Sequence, residues 1–411
     1  MTRDRERYER STPGHTGGGS SPAERPDTLS DARTRPFTTS HAGARIRSRE
    51  AELAPPPPGA PVSLWHAVWL GVAVLGCAGN PPAATATAAN EAETEAAASR
   101  VALVPSPGTK PINGFSAASP WNQPLPAQIP LAPNSKAVVT NLLGDRNGGF
   151  AVWPLMTETF SAPIYVADAD TPVTKWEYDN CTQAPGLHPP FGEALAAVPT
   201  LPDMLVSNGS DGEIAIYQPS TDTYWDFWRA QVNGQGQWSA CWGGKIDRYS
   251  ESAGVFEAPL GATATGLALG AFLIRIEELK RGHIDHAVNI ATTRTRKDCQ
   301  SWPANRNDGN TDGADIACEG QRFRLDPSFD ASTLKSPAAR TIARAMQQYG
   351  LILTDKSDAL ITQAEDPRPH MAKNGGQNPY DDLLGGVPWY IALNDIPVDR
   401  LEALPIDYGK Q

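Results

Sequence analysis

The chain lacks the short motifs that announce many hydrolases and nucleotide enzymes. It has no GxSxG nucleophile elbow, no HExxH pair and no phosphate-binding glycine loop. No CxxC pair occurs, which argues against a structural zinc site. No apolar run reaches the roughly 20 residues that a comfortable membrane span needs. Basic charge is also short: 35 Lys and Arg against 46 Asp and Glu leave a formal net charge of -11. A nucleic-acid groove needs a basic stripe, so nucleic acid is not an expected partner. The first 60 residues hold few large apolar side chains among many Arg, Ser, Thr, Pro and Gly. Such a segment buries too little apolar surface to offset its ordering entropy. Residues 1–60 therefore read as disordered, or as an extension from a start codon placed too far upstream.

What is present points to a loop-rich β protein: 38 Pro and 11 Trp in 411 residues. Residues 61–77 form a signal-type segment. Ser63 to Gly76 reads SLWHAVWLGVAVLG and is followed by Cys77. Its length suits a signal-peptide apolar region, with Arg45, Arg47 and Arg49 upstream. Val74-Leu75-Gly76-Cys77 is similar to a bacterial lipobox, in which cleavage precedes an acylated Cys. The competing reading is a short anchor or buried helix with an incidental Cys. Residues 78–110, rich in Ala, Thr, Glu and Pro, have tether composition. The folded part is expected over 111–408, as one domain.

The clearest β region runs from Asp211 to Trp242. Asn208-Gly209, Asp211-Gly212 and Asn233-Gly234 are turn signals. Between them lie the strand-like Glu213–Tyr217, Thr223–Ala230 and Gln237–Trp242. Period-two alternation puts Tyr224, Asp226 and Trp228 on one face, and Trp225, Phe227 and Arg229 on the other. With aromatics on both faces, the sheet is covered on both sides or offers a binding face. One helix is well signalled: Ser336 as N-cap, Pro337 at its first position, apolar Ile342, Ala345, Met346 and Tyr349, then Gly350. Glu277 to Arg281 adds one further helical turn. No βαβ rhythm appears. These signals predict an all-β fold, an antiparallel two-sheet sandwich or jelly roll with one or two short packed helices.

If Cys77 is acylated, Cys181, Cys241, Cys299 and Cys318 remain. An even count in an exported chain implies disulfides, with three connectivities open. We favour Cys299–Cys318 and Cys181–Cys241. The loop-entropy model values the shorter bridge at about 3 kcal/mol.

Several constellations are candidates for chemistry. Asp308, Asn310, Asp312 and Glu319 match the spacing of a calcium loop, D-x-N-x-D-G-x5-E. A structural Ca2+ is the cofactor this predicts; the competing reading is a polar, disulfide-closed loop. His286 shares its strand face with Ile284, Val288 and Ile290. It is either a hydrogen-bonded core histidine or a general acid or base. Tyr217 or Tyr224 would assist it, and Asp226 is a candidate for one carboxyl of a glycosidic pair. Trp225, Trp228 and Trp302 are candidate sugar-stacking residues, with core packing as the alternative for each; Trp238 and Trp242 belong to the same group.

The stretch from about 203 to 360 also resembles a widespread group of secreted bacterial proteins. The resembling residues are Ala264-Thr265-Gly266-Leu267, Gly282 to Val288, Trp302-Pro303-Ala304, Gly320 to Leu325 and Ala345 to Gly350. That group often carries Asp-x-His-Met before the meander; here Asp203-Met204 lacks the His. The resemblance implies export and is compatible with a concanavalin-like sandwich, but it brings no activity. The expectation is an exported, lipid-anchored, carbohydrate-active protein, a polysaccharide lyase or glycoside hydrolase acting on polysaccharide or envelope glycan. A non-catalytic carbohydrate-binding or adhesion module is the alternative.

Overall fold

The computed structural model describes residues 113–148 and 151–410. The N-terminal extension, the signal segment with Cys77 and the tether lie outside the described residues. The described residues belong to one compact unit. They form strands in several small mixed sheets with few helices, and the sheets do not close into a barrel.

The meander signals produce the first four-stranded sheet. Its order is Trp242–Asp247, Thr223–Trp228, Ile214–Gln218, Ile164–Val166. The first three pair antiparallel, with Tyr217 opposite Tyr224 and Ile214 opposite Phe227. Ile164–Val166 joins the edge in parallel. Thr223 to Phe227 are all buried, so this sheet is covered on both sides. Its side chains enter an aromatic core with Trp121, Trp176, Phe191 and Phe272.

The second four-stranded sheet has the order Val288–Thr292, Leu351–Lys356, Arg322–Leu325, Leu401–Ala403. Its alternation is divided between two cores. Val288, Ile290, Leu351 and Leu353 pack with Ile342 and Met346 of the Pro337–Gln348 helix. Ile352, between two of them, joins the aromatic core instead. The signalled helix has its predicted ends: Ser336 Oγ accepts from the Ala339 N–H at 3.3 Å. Gly350 takes φ +83°, where a Cβ would stand 2.4 Å from the Phe323 carbonyl oxygen.

Two expectations need correction. The pairing is mixed rather than purely antiparallel, because Val288–Thr292 runs parallel to Leu351–Lys356. Parallel neighbours need a long crossover. The chain between them supplies it, and the well-capped helix lies within that crossover. Helices also exceed the expected one or two. Ser135–Gly148 buries Val138, Val139 and Leu142, and Pro189–Ala196 buries Phe191 and Leu195. The first of these carries no strong amphipathic stripe, which is why the sequence does not announce it.

Both favoured disulfides form, with Cα–Cα separations of 5.6 Å for Cys181–Cys241 and 5.4 Å for Cys299–Cys318. Disulfides of this kind suit an oxidising, extracellular setting. Among the described residues no helix is long and apolar enough to cross a membrane.

A carboxyl-lined cavity as the candidate functional site

A cavity of about 690 Å³ opens where the two sheets' loops meet. Three distant segments build its polar side. Ser210, Asp211 and Glu213 lead into the Ile214–Gln218 strand, Thr354 to Asp358 close the Leu351–Lys356 strand, and Trp389 and Tyr390 come from a late 3-10 turn.

A β-bulge sets the second segment. Ile290 pairs with Leu353, but Ala291 pairs with Asp355, so Thr354 is the extra residue. Bulges re-aim side chains. Here Ala291, Thr354 and Asp355 all reach the cavity wall. Asp355 Oδ1 accepts from the Lys356 N–H at 2.7 Å, and Oδ2 from the Ala264 N–H at 3.4 Å. Burial pushes its pKa up to about 7, and the neighbouring Asp308 adds to the rise.

Glu213 is the sharper feature. Its backbone is fixed twice by Ser207: its N–H donates to Ser207 Oγ, and its carbonyl accepts from the Ser207 N–H, both at 2.8 Å. Its side chain is only 6% exposed, yet Oε2 has no hydrogen-bond partner. A buried carboxylate without a donor is costly, which favours the protonated form. Burial raises the Glu213 pKa well above the ordinary value, and Asp211, Asp355 and Asp226 add to it. Asp211 Oδ1 accepts from Trp228 Nε1 at 3.3 Å. Lys356 also lines the cavity, but its ammonium is spent on Asp308, 2.6 Å from Oδ2 and 2.7 Å from the carbonyl.

The small-residue run after Gly261 makes the adjoining wall. Asp226 is wholly buried and accepts from the Ala262 N–H at 2.9 Å, the Leu269 N–H at 3.0 Å and the Tyr224 hydroxyl at 3.0 Å. Burial carries its pKa up to about 7 despite those donors. From the other side Arg306 donates to the carbonyls of Leu260, Gly261, Thr263 and Ala264. Asp226 thus anchors a loop, and Thr263 of that loop lines the cavity.

The other residues singled out by sequence lie elsewhere. His286 is 1% exposed, with Nδ1 2.8 Å from the Ala287 carbonyl and Nε2 3.0 Å from Glu278 Oε2. Burial alone would lower its pKa, but the Glu278 carboxyl outweighs it and the net direction is up. Tyr217 and Tyr224 sit in an aromatic cluster with Phe115 and Tyr249, and burial raises both phenols. The Arg275 guanidinium lies 5.2 Å over the Tyr217 ring. Trp225 is buried in the aromatic core, and Trp228 touches the cavity only through Asp211. Trp302 is half-buried, and its N–H donates to Asp407 at 2.7 Å.

In the expected calcium loop, Glu319 is buried and accepts from Thr295 Oγ1 at 2.9 Å and the Asp308 N–H at 3.1 Å. Burial lifts its pKa up to about 8, with Asp308 contributing. Asn310 Oδ1 takes the Thr311 hydroxyl at 2.8 Å, and its amide donates to the Thr293 carbonyl. Asp312 is exposed. Among the described residues no group of three or more His, Cys, Asp or Glu side chains is arranged to hold a metal.

Sequence reasoning passed over Asp211, Glu213, Asp355, Trp389 and Tyr390. The available signal was two carboxyl residues flanking Gly212 directly before the largely apolar strand Ile214–Gln218. Comparison with protein-family profiles, curated proteins and solved structures finds no match to this chain.

Proposed function

We propose that the protein is a glycoside hydrolase whose acid and base are Glu213 and Asp355. The carrying observation is the buried, unpartnered Glu213 carboxyl in a cavity that also holds a second carboxyl of raised pKa. Glycoside hydrolysis needs such a pair, one protonated and one ionised at the working pH. Glu213 gives its proton to the leaving glycosidic oxygen as the bond to the anomeric carbon breaks. Asp355, its pKa raised to about 7 by burial, takes in its ionised form a proton from the water whose oxygen joins that carbon. Asp355 thereby gains one proton and Glu213 loses one, and exchange with solvent resets both.

Aromatic surface supports a sugar ligand. Phe160, Trp389 and Tyr390 line the cavity, and Tyr390 is 51% exposed. Such rings stack on the apolar faces of sugars while carboxyls bond the hydroxyls. A lyase acting on uronates fits less well. Elimination there needs a free cation near the substrate carboxylate, and Lys356 is already paired. A non-catalytic binding module is the second reading, favoured by the exposed Tyr390. Export, a lipid anchor at Cys77 and a distorted sandwich formed by the two larger sheets complete the reading.

The test is reducing-end release and binding on a glycan panel, comparing wild type with Glu213→Gln. Release that vanishes in the variant while binding persists supports the hydrolase. Binding without release in either protein supports the module.

A further inference from the structure

One wall of the cavity is apolar and continuous. Met156, Ala291, Ala359 and Ile361 form a single buried cluster, with Phe160 and Trp389 packed against it. All six line the cavity. The cluster begins beside the chemistry, since Ala291 is the cross-strand partner of Asp355. Neighbouring polar groups are already paired. Ala291 and Ile361 exchange N–H···O=C bonds at 3.1 and 3.0 Å, and the Pro154 and Met156 carbonyls accept from the Thr362 and Ala364 N–H groups. The Gln363 side chain accepts from Asn289 Nδ2 at 2.8 Å and donates to the Phe160 carbonyl at 2.9 Å. Thr354 Oγ1 accepts from the same Asn289 amide at 3.2 Å and donates to the Ile290 carbonyl at 3.4 Å. A second sugar ring laid on this wall would leave its hydroxyls short of partners, at a desolvation cost for each. An alkyl or aryl group has no such hydroxyls and is favoured by the burial itself. The cavity's volume of about 690 Å³ suits a compact ligand.

We infer that this wall is a subsite for an apolar aglycone, so that the cavity prefers glycosides carrying an alkyl or aryl group over oligosaccharides of the same sugar. The inference rests on the hydrolase reading and adds its substrate class. The sugar's hydroxyls meet the carboxyl side, and the scissile bond falls at the boundary marked by Ala291 and Asp355. Hydrolysis breaks the bond between the anomeric carbon and the aglycone oxygen. Water supplies the hydroxyl that joins the sugar, and the aglycone leaves as its alcohol or phenol with the proton from Glu213.

The experiment uses the purified protein and the phenyl, propyl and hexyl glycosides of glucose and galactose, in both anomeric series. Each is compared with a disaccharide having the same non-reducing sugar and linkage. Affinity is read by titration calorimetry and turnover by release of reducing sugar. Phenyl and hexyl glycosides are expected to bind at least about tenfold more tightly than the disaccharides. Affinity should rise from propyl to hexyl, and binding should carry a negative heat-capacity change. The preference should shrink in Ile361→Thr, which puts a hydroxyl into the wall, and in Trp389→Ala, with folding of both checked by circular dichroism. The wild-type ligand order tests the inference by itself if either variant fails to fold. Disaccharides that bind as tightly as the glycosides and are hydrolysed overturn the inference and leave the hydrolase reading standing. Tight binding of the glycosides with no release from any ligand overturns the hydrolase reading and retains the apolar subsite. Absence of binding to every ligand overturns both.

Discussion

Two buried carboxyls in this protein have opposite surroundings. Glu278 is fully buried; its Oε2 faces His286 Nε2 and the Arg275 N–H, both at 3.0 Å, while its Oε1 has no hydrogen bond and lies 3.6 Å from the Arg281 guanidinium. Glu213 is almost as buried, but its Oε2 has no partner, and the residue lines a cavity. The first carboxyl closes a capping box at the start of the Ile276–Arg281 helix and hydrogen-bonds a core histidine. The second has its pKa raised well above the ordinary carboxyl value by burial. Burial alone therefore does not mark a functional group. Burial without a partner, beside open volume, is what makes Glu213 the candidate.

The comparison can be broken most decisively at Glu213. Glu213→Gln should reduce turnover by about 100-fold to 10,000-fold, the usual span for losing a general acid. Its melting temperature should stay within a few degrees of wild type, because no hydrogen bond to Oε2 is lost. Glu278→Ala should show the reverse pattern. It removes one partner of a buried ion pair and should cost about 3–5 kcal/mol in chemical denaturation. The folded fraction should keep its activity per molecule.

Removing the Cys299–Cys318 bridge as a Ser pair should cost about 3 kcal/mol, the loop-entropy figure for a closure of this length. Denaturation midpoints would read this directly. The effect on turnover should be secondary, through the Asp308 loop that holds Lys356. The mildest change is Trp389→Ala. We expect KM to rise about tenfold, about 1.4 kcal/mol, with kcat nearly kept. A fall in kcat alone would place Trp389 in the chemistry instead.

A pH series sharpens the same contrast. Asp355 and Asp226 move from about 3.9 unfolded to about 7 folded. Glu319 moves from about 4.3 to about 8, and Glu213 shifts the same way. Below pH 4 these groups hold their protons in both states. Above it the unfolded chain releases them first, so stability falls as pH rises toward 8. His286 acts in the same direction, since its raised pKa gives stability that is lost as pH rises through it. Asp326, lowered to about 2 by Arg400, opposes them only under strong acid. The melting temperature should be highest near pH 4 and decline toward pH 8. A maximum at pH 8 would show that the carboxyls are better solvated than their burial implies.

Much of the fold was legible because its signals are local. Turn dipeptides delimit the meander, Ser336-Pro337 and Gly350 bracket the main helix, and the cysteine count admits both bridges. The parallel pairing was not legible, since Val288–Thr292 and Leu351–Lys356 meet across a long crossover that no local pattern encodes. The cavity was hidden for the same reason. Its walls come from residues near 211, 355 and 390, and each stretch alone reads as an ordinary turn or strand end. His286 was visible as a histidine among apolar neighbours. Its burial and its hydrogen bond to Glu278 place it in the interior.

The most direct measurement is reducing-end release by wild type, Glu213→Gln and Glu278→Gln on one glycan panel, normalised to folded protein. The account predicts a stable, inactive Glu213→Gln and a destabilised Glu278→Gln whose folded molecules still turn over. A Glu213→Gln protein that keeps wild-type turnover would contradict it.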